Sequence, residues 1–320
     1  MNRIAFAAAL LLMTGAIAAA QAPTPPTPQR PDAAAPASPP VDRAFGAYQR
    51  GYYLTAFAEA TRAAQAGDPK AMTLLGELYA NGQGIPRDDA KAVDWYKLAA
   101  ERGDREAMFV LAMFRFGGRG GPRDRDEAVK LITEAARLGH PAAAYNLALL
   151  HLDGQTVAQD FARAAELLKA AATAGLPEAQ YALGTLYKEG RGVTADPNEA
   201  ARWLGAAARA DYTDAQVEYA IALFNGEGVP KDEAAAAALF RKAARKGSAI
   251  AQNRLARILA AGRGLPADPV EAMKWHEIAK AGGASDTWLE GFIQGLTPEQ
   301  KTAAEKAAKA WLAGLPPPRS

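Results

Sequence analysis

The chain has 320 residues, of which 49% are apolar and 22% are charged, and its formal net charge is +2. This composition is typical of a folded globular protein, and the mixed signs give no basic face of the kind that binds nucleic acid. Cysteine is absent, which excludes disulfides, thiolate metal sites, a cysteine nucleophile and a lipid-modified cysteine.

Residues 1–22 have the three-part form of a secretory signal peptide. Arg3 gives a basic start, an apolar run follows, and Ala20 and Ala22 place small residues for cleavage after Ala22. The alternative is a retained membrane anchor, but the apolar run is short for a membrane span. We therefore predict a periplasmic or secreted protein with no membrane span after signal cleavage.

Residues 23–41 form a proline-rich segment, PTPPTPQRPDAAAPASPPV. Proline lacks a backbone donor and favours an extended, solvated chain. We predict a disordered linker that separates the membrane surface from the folded part. A docking ligand for a groove is the alternative, although no motif singles one out.

The rest of the chain is dominated by an internal repeat of 36 residues. Glycine recurs at this interval or its multiples at Gly67, Gly103, Gly139, Gly175, Gly247 and Gly283, and Asp211 occupies the one missing position. Alanine columns keep the same period, beginning with Ala71, Ala92 and Ala99. Apolar and small residues recur at helical spacing in two blocks per unit, so we predict six helix pairs over residues 67–282.

The loop between the two helices of each unit raises a choice between a phosphate cradle and a simple turn, because it carries paired glycines as in GQGIPRDD. The loop recurs six times and no copy continues into the lysine and serine or threonine of a phosphate-binding loop, so we favour the turn. Glycine is predicted to end each first helix and aspartate to cap each second helix. These structural repeat residues are Gly82, Asp88, Gly118, Asp124, Gly154, Asp160, Gly190, Asp196, Gly226, Asp232, Gly262 and Asp268.

The best copies of the unit, AMTLLGELYANGQGIPRDDAKAVDWYKLAAERG and AQYALGTLYKEGRGVTADPNEAARWLGAAARA, resemble the Sel-one-like repeat, a relative of the tetratricopeptide repeat. The resemblance covers residues 67–283. It implies an all-α fold, a right-handed α-solenoid of paired antiparallel helices. It also implies an adaptor or scaffold role, and bacterial members of the family are often exported.

Both ends of the repeat array are predicted to be caps. Residues 42–66 keep the repeat phase with a shortened loop and form a degenerate first helix pair. Residues 283–314 hold a seventh first helix that has lost its alanine column at Thr287, then a final helix capped at Thr297. A polar outer face, as in KTAAEKAAKAW, suits a terminal unit. Residues 315–320 are a tail.

One loop departs from the consensus by carrying Arg115, Arg119, Arg123 and Arg125. It could bind an anion or an acidic partner, but the neighbouring carboxylates Asp124, Asp126 and Glu127 favour a solvated loop. The same carboxylates lack the ligand spacing of a calcium loop. We predict neither a metal nor a cofactor.

Catalytic signatures are absent from the sequence. No serine lies in G-x-S-x-G or begins S-x-x-K, and the three histidines, His140, His151 and His276, have no metal-ligand spacing. His276 occupies a column of packing residues. We therefore predict a non-enzymatic, monomeric scaffold that binds a protein partner and regulates or assembles an envelope complex. The alternative is a glycan-binding or hydrolytic cell-wall protein.

The resemblance also suggests where a partner binds, because the first helices of tetratricopeptide-like solenoids line the concave side. Positions six, ten and thirteen after each starting glycine form one helical stripe. The stripe is polar in the end units, at Thr73, Glu77, Asn253 and Arg257. Packing against neighbouring helices is the alternative role. The predicted partner-binding stripe is Phe109, Met113, Phe116, Tyr145, Leu149, Leu152, Tyr181, Val217, Ile221 and Phe224.

Overall fold

The computed structural model describes residues 40–314. The predicted signal peptide, nearly all of the predicted linker and the tail 315–320 lie outside the described residues. Within residues 40–314 the chain is helical and has no strand. The helices are α1 (Pro40–Gln49), α2 (Tyr53–Gln65), α3 (Pro69–Asn81), α4 (Asp89–Glu101), α5 (Arg105–Gly117), α6 (Arg125–Arg137), α7 (Pro141–Asp153), α8 (Phe161–Thr173), α9 (Pro177–Glu189), α10 (Pro197–Arg209), α11 (Thr213–Asn225), α12 (Glu233–Arg245), α13 (Ala249–Ala261), α14 (Pro269–Ala281), α15 (Thr287–Gln294) and α16 (Pro298–Ala313).

The described residues divide into two compact units, the first ending at Gln159 and the second beginning at Asp160. In the first unit, α1 to α7 pack in chain order, each helix against the next. In the second unit, α8 to α14 do the same, while α15 packs on α13 and α16 packs on α14. Each unit is therefore a stack of helices that contact their sequence neighbours, as in a solenoid. The predicted all-α repeat fold is confirmed.

Caps fix where each helix begins and ends. The aspartates that precede the second helices accept hydrogen bonds from the first-turn backbone; for example, Asp196 accepts from the amides of Asn198 at 2.9 Å and Glu199 at 3.2 Å. The six glycines that end the first helices have φ between 65° and 78°, the left-handed region in which glycine carries no steric penalty. Thr297 and Gln300 form a reciprocal capping box at the start of α16.

The alanine columns lie in the core. Ala71, Ala107, Ala143, Ala179, Ala215 and Ala251 are all 0% exposed. Their small side chains let helices approach closely, and a small residue five positions later works the same way. A Cβ atom added at Gly76 would lie 2.6 Å from the ring of Tyr96.

The second glycine of each loop brings the loop against the preceding repeat. A Cβ atom built on Gly228 would lie 1.9 Å from the carbonyl oxygen of Pro197, at the start of the preceding second helix. Gly120, Gly192 and Gly264 are in equivalent contacts at 2.1 to 2.2 Å. The third repeat has Thr156 at this position, and the boundary between the two compact units falls within its loop, after residue 159.

Asp211 replaces the one missing glycine of the repeat and adopts the glycine-like backbone. Its φ is +69°, and it is the one non-glycine residue with positive φ among the described residues. The carboxylate pairs with Lys242 and Lys246, each at 2.7 Å, and accepts a hydrogen bond from the side-chain Nε2 of Gln216 at 2.8 Å. The two lysines hold the pKa of Asp211 well below its usual range. The side chain of Asp211 is thus paired at a position whose backbone conformation is unfavourable for most residues other than glycine.

His276 lies in the core of the second unit with 0% exposure, in a column that elsewhere carries Tyr96, Ile132, Leu168, Leu204 and Phe240. Neither ring nitrogen has a hydrogen-bond partner among the described residues. A buried polar group without a partner destabilises the fold because it has lost its bonds to water.

Replacing His276 with leucine, the residue at two equivalent positions, is expected to raise the free energy of unfolding by about 1 to 3 kcal/mol. The change removes two unpartnered nitrogens and fills the same space with an apolar side chain of similar size. Urea denaturation followed by tryptophan fluorescence measures the effect. A lower midpoint for the leucine variant would mean that the imidazole makes favourable contacts in the core.

Candidate protein-binding surface

The predicted stripe on the first helices is partly core and partly surface. Phe109, Met113, Leu152 and Val217 are buried, whereas the other six members, Phe116, Tyr145, Leu149, Tyr181, Ile221 and Phe224, are half-buried. The half-buried members retain apolar surface that a partner can contact. The buried members serve mainly in helix packing.

Position six of the stripe contacts the residue that caps the next first helix. Phe109 stacks on His140 with ring centroids 4.6 Å apart, and Tyr181 lies 5.2 Å from Tyr212. His140 in turn accepts from the amide of Ala143 through Nδ1, and its Nε2 lies 3.0 Å from Glu106. This bond to His140 lowers the pKa of Glu106.

The polar members of the same positions are also engaged within the chain. Thr73 donates to Asp104 at 3.1 Å, and the hydroxyl of Tyr48 donates to Glu77 at 2.6 Å. Asn253 and Arg257 both donate to Asp286, so the polar ends of the stripe join neighbouring elements. Their side chains are therefore already partnered.

The second unit contains a cavity on the first-helix side, which we call the arginine cavity. Its volume is about 310 Å³. Apolar side chains come from α11, α12 and α13, and Trp288 of α15 is part of the lining. The lining residues are Ile221, Phe224, Asn225, Phe240, Arg254, Arg257, Ile258, Ala261, Arg263 and Trp288.

Two of the three arginines in the cavity have carboxylate partners. Arg257 donates to Asp286 through Nε at 2.5 Å and Nη2 at 2.8 Å, and its guanidinium lies 5.4 Å from the ring of Trp288. Asp286 also caps α15, accepting from the amides of Trp288 and Leu289. The hydrogen bonds from Arg257 are the main reason why the pKa of the nearly buried Asp286 lies well below its usual range.

Arg263 makes a comparable pair with Glu233 at 2.5 Å, and its guanidinium stacks 4.2 Å from the ring of Phe224. Arg263 and Lys231 together lower the pKa of Glu233 to about 2. Because Glu233 begins α12 and Arg263 lies in the loop between α13 and α14, the pair also joins two repeats. A similar pair, Arg119 with Asp89 at 2.9 Å, joins two repeats of the first unit.

The third arginine, Arg254, is exposed and forms no hydrogen bond or ion pair with any described residue. Arg254 is therefore the one arginine of the cavity lining without a carboxylate partner among the described residues. Its positive charge lies beside apolar surface. The arrangement suits an anionic group attached to an apolar one.

The arginines in the loop of the second repeat are also partly paired within the chain. Arg115 is buried and donates to Glu127 at 2.5 Å, and Arg119 pairs with Asp89. Asp124 caps α6 by accepting from the amide of Glu127. Two of the four arginines thus have internal partners. Among the side chains of residues 43–314, no group of three or more acidic, histidine or cysteine residues could hold a metal ion.

No helix of the described part of the chain combines the length and the apolar character that crossing a bilayer requires.

Comparison with known proteins places this geometry in a family. The model of the Sel1 repeat, the Sel-one-like repeat of the sequence analysis, matches six consecutive segments: 69–104, 105–140, 141–176, 177–212, 213–248 and 249–283. None of the curated proteins compared with the chain matches it.

Two solved structures share the fold. A Sel1 repeat protein from Oxalobacter formigenes is 27% identical, with a TM-score of 0.63 over 77% of this chain and 99% of its own. A protective antigen of uropathogenic Escherichia coli strains with an SLR fold is 26% identical, with a TM-score of 0.58 over 86% of this chain and 68% of its own. The stacked helix pairs are therefore shared with bacterial repeat proteins.

The predicted stripe includes Ile221, Phe224 and its polar member Arg257, but the sequence did not indicate the other residues of the arginine cavity. Arg254 lies in no repeating column, and Trp288 lies in the seventh first helix, which has lost the repeat pattern. The recurrence of arginine at Arg119, Arg191 and Arg263 was the available signal for Arg263.

Proposed function

Because the chain belongs to the Sel1-repeat family, whose solenoids are scaffolds for protein interaction, we propose that it is an exported scaffold that holds a protein partner of the bacterial envelope. The observation that carries the proposal is the half-buried apolar surface on the first helices, centred in the second unit on Ile221 and Phe224. Such a surface matches the apolar core of a protein interface.

The same surface argues for a protein segment over a glycan. Glycan binding would be favoured by free carboxylates beside aromatic rings. Beside the arginine cavity, Asp286 and Glu233 are both paired with arginine, and neither carboxylate lines the cavity. The apolar part of the lining is formed by aliphatic, phenylalanine and tryptophan side chains.

Partner binding is tested by capture from an envelope extract with three variants. Phe116→Ala probes the first unit, Ile221→Ala with Phe224→Ala probes the second, and Leu98→Ala alters an exposed apolar residue of the second helix α4 as a control. Mass spectrometry identifies the captured proteins. We expect one of them to be retained by the control and lost from at least one first-helix variant. That variant must melt at the same temperature as the parent protein. Retention by all variants would exclude the first-helix surface.

Export is tested separately by sequencing the N-terminus of the protein recovered from a periplasmic fraction. Cleavage after Ala22 predicts that the mature chain begins at Pro23. Replacing Ala20 and Ala22 with lysine should block processing, because the cleavage site requires small residues. Recovery of the unmodified chain only in the cytoplasm would exclude export.

A further inference from the structure

We propose that the arginine cavity binds a side-chain carboxylate that lies next to a bulky apolar residue in a partner peptide. The inference rests on the proposed scaffold function and specifies its ligand. The carboxylate would pair with Arg254, and the apolar side chain would enter the space beside Phe224 and Trp288.

Arg254 provides the anion contact. Its guanidinium is exposed at the cavity and has no partner among the described residues, whereas Arg257 and Arg263 are already paired with Asp286 and Glu233. A guanidinium without a partner can form two parallel hydrogen bonds with a carboxylate. Arg257 and Arg263 keep their carboxylate partners Asp286 and Glu233.

The apolar contact comes from the aliphatic and aromatic side chains that line the cavity. Ile221 and Phe224 are half-buried, and Trp288 is 48% exposed, which is high for so large an apolar ring. The volume of about 310 Å³ is at the lower end for ligand sites, so it fits one or two side chains of a peptide. Burial of such a side chain would cover the exposed part of Trp288.

The local charges favour a carboxylate over a phosphate group. Asp286 and Glu233 bind the guanidinium groups of Arg257 and Arg263 and would repel a doubly charged ligand more strongly than a singly charged one. Arg254 is the one guanidinium of the cavity lining that is free to pair with the incoming group, which suits a ligand with a single carboxylate.

The experiment selects displayed random peptides of about a dozen residues on the purified protein. We expect the enriched sequences to place glutamate or aspartate within two residues of phenylalanine, leucine or tryptophan. The leading sequence is then made as an amidated peptide and as a matched peptide with glutamine or asparagine at the acidic positions. Amidation removes the terminal carboxylate, so binding reports the side chain alone.

Arg254→Gln is expected to weaken binding of the acidic peptide by about tenfold to a hundredfold, the effect of losing one charge-assisted contact. The matched peptide with glutamine or asparagine should bind the parent protein more weakly by the same factor. Arg254→Gln should weaken the binding of that matched peptide little further. Arg209→Gln is the matched control, because Arg209 is an exposed arginine of α10 that does not line the cavity. Unchanged binding by Arg254→Gln would overturn the proposal.

Trp288 gives an independent readout, because it is the one tryptophan of the five in the chain that is exposed. Binding of the acidic peptide should protect its fluorescence from quenching by iodide, and Trp288→Leu should remove that protected signal. Enrichment of peptides without acidic residues would overturn the carboxylate site and leave the scaffold function standing. Failure to enrich any peptide, together with retention of the captured protein by all first-helix variants, would overturn both.

Discussion

Replacing Gly228 with alanine is expected to destabilise the second unit by about 3 kcal/mol, the sum of a left-handed backbone penalty and an overpacking penalty. Gly228 has a φ of +69°, and an added Cβ would lie 1.9 Å from the carbonyl oxygen of Pro197. That oxygen belongs to the first turn of α10, which cannot move away without disturbing the helix. The loop must therefore separate from the preceding repeat.

Gly247→Ala is the matched control for backbone strain. Gly247 has a φ of +92°, and no atom lies within 4 Å of its added Cβ. This variant should lose only about 1 kcal/mol, so the difference between the two variants measures the contact between repeats. Both are compared by urea denaturation followed by circular dichroism and tryptophan fluorescence. Equal losses would mean that Gly228 serves the turn alone.

The fold could be predicted from the sequence because each local signal for a helix, cap or turn occurs in six copies of the repeat. The alanine columns, glycine stops and aspartate caps agree with one another, and each has a local physical cause. The loop glycines were harder to interpret. A glycine that turns the chain and one that allows close approach to a preceding repeat give the same pattern, and only the distance from Gly228 to Pro197 separates them.

The candidate site was less accessible, because it depends on departures from the repeat. Asn253 and Arg257 are predicted to form the polar end of the stripe, and the structure shows that both side chains bind Asp286, about thirty residues further along the chain. The sequence does not reveal whether an arginine is paired. Arg254 and Arg257 are three residues apart in one helix, yet only the structure distinguishes the free guanidinium from the paired one.

Asp286→Ala is expected to lower the stability of the second unit by about 3 kcal/mol at neutral pH, combining a lost helix cap with lost charge-assisted hydrogen bonds. The carboxylate is buried and accepts five hydrogen bonds, two from Arg257 and one each from Asn253 and the amides of Trp288 and Leu289. Since repeats contact mainly their neighbours, the loss should first appear as early unfolding of α15 and α16. Urea denaturation monitored by tryptophan fluorescence detects it.

Asp286→Asn separates the charge from the cap and fixes the sign of the pH dependence. The folded pKa of Asp286 lies well below the unfolded value of about 3.9, so the charged pair stabilises the fold fully above that value. Its contribution is lost as the pH falls through the folded pKa. The stability difference between the parent and the asparagine variant should therefore be constant from about pH 7 to 5 and shrink below about pH 4. Asp214→Asn, at an exposed carboxylate that accepts no hydrogen bond from the described residues, should show no such change. If the parent protein and Asp286→Asn lose the same amount of stability as the pH falls, the ion pair between Asp286 and Arg257 contributes nothing to the pH dependence.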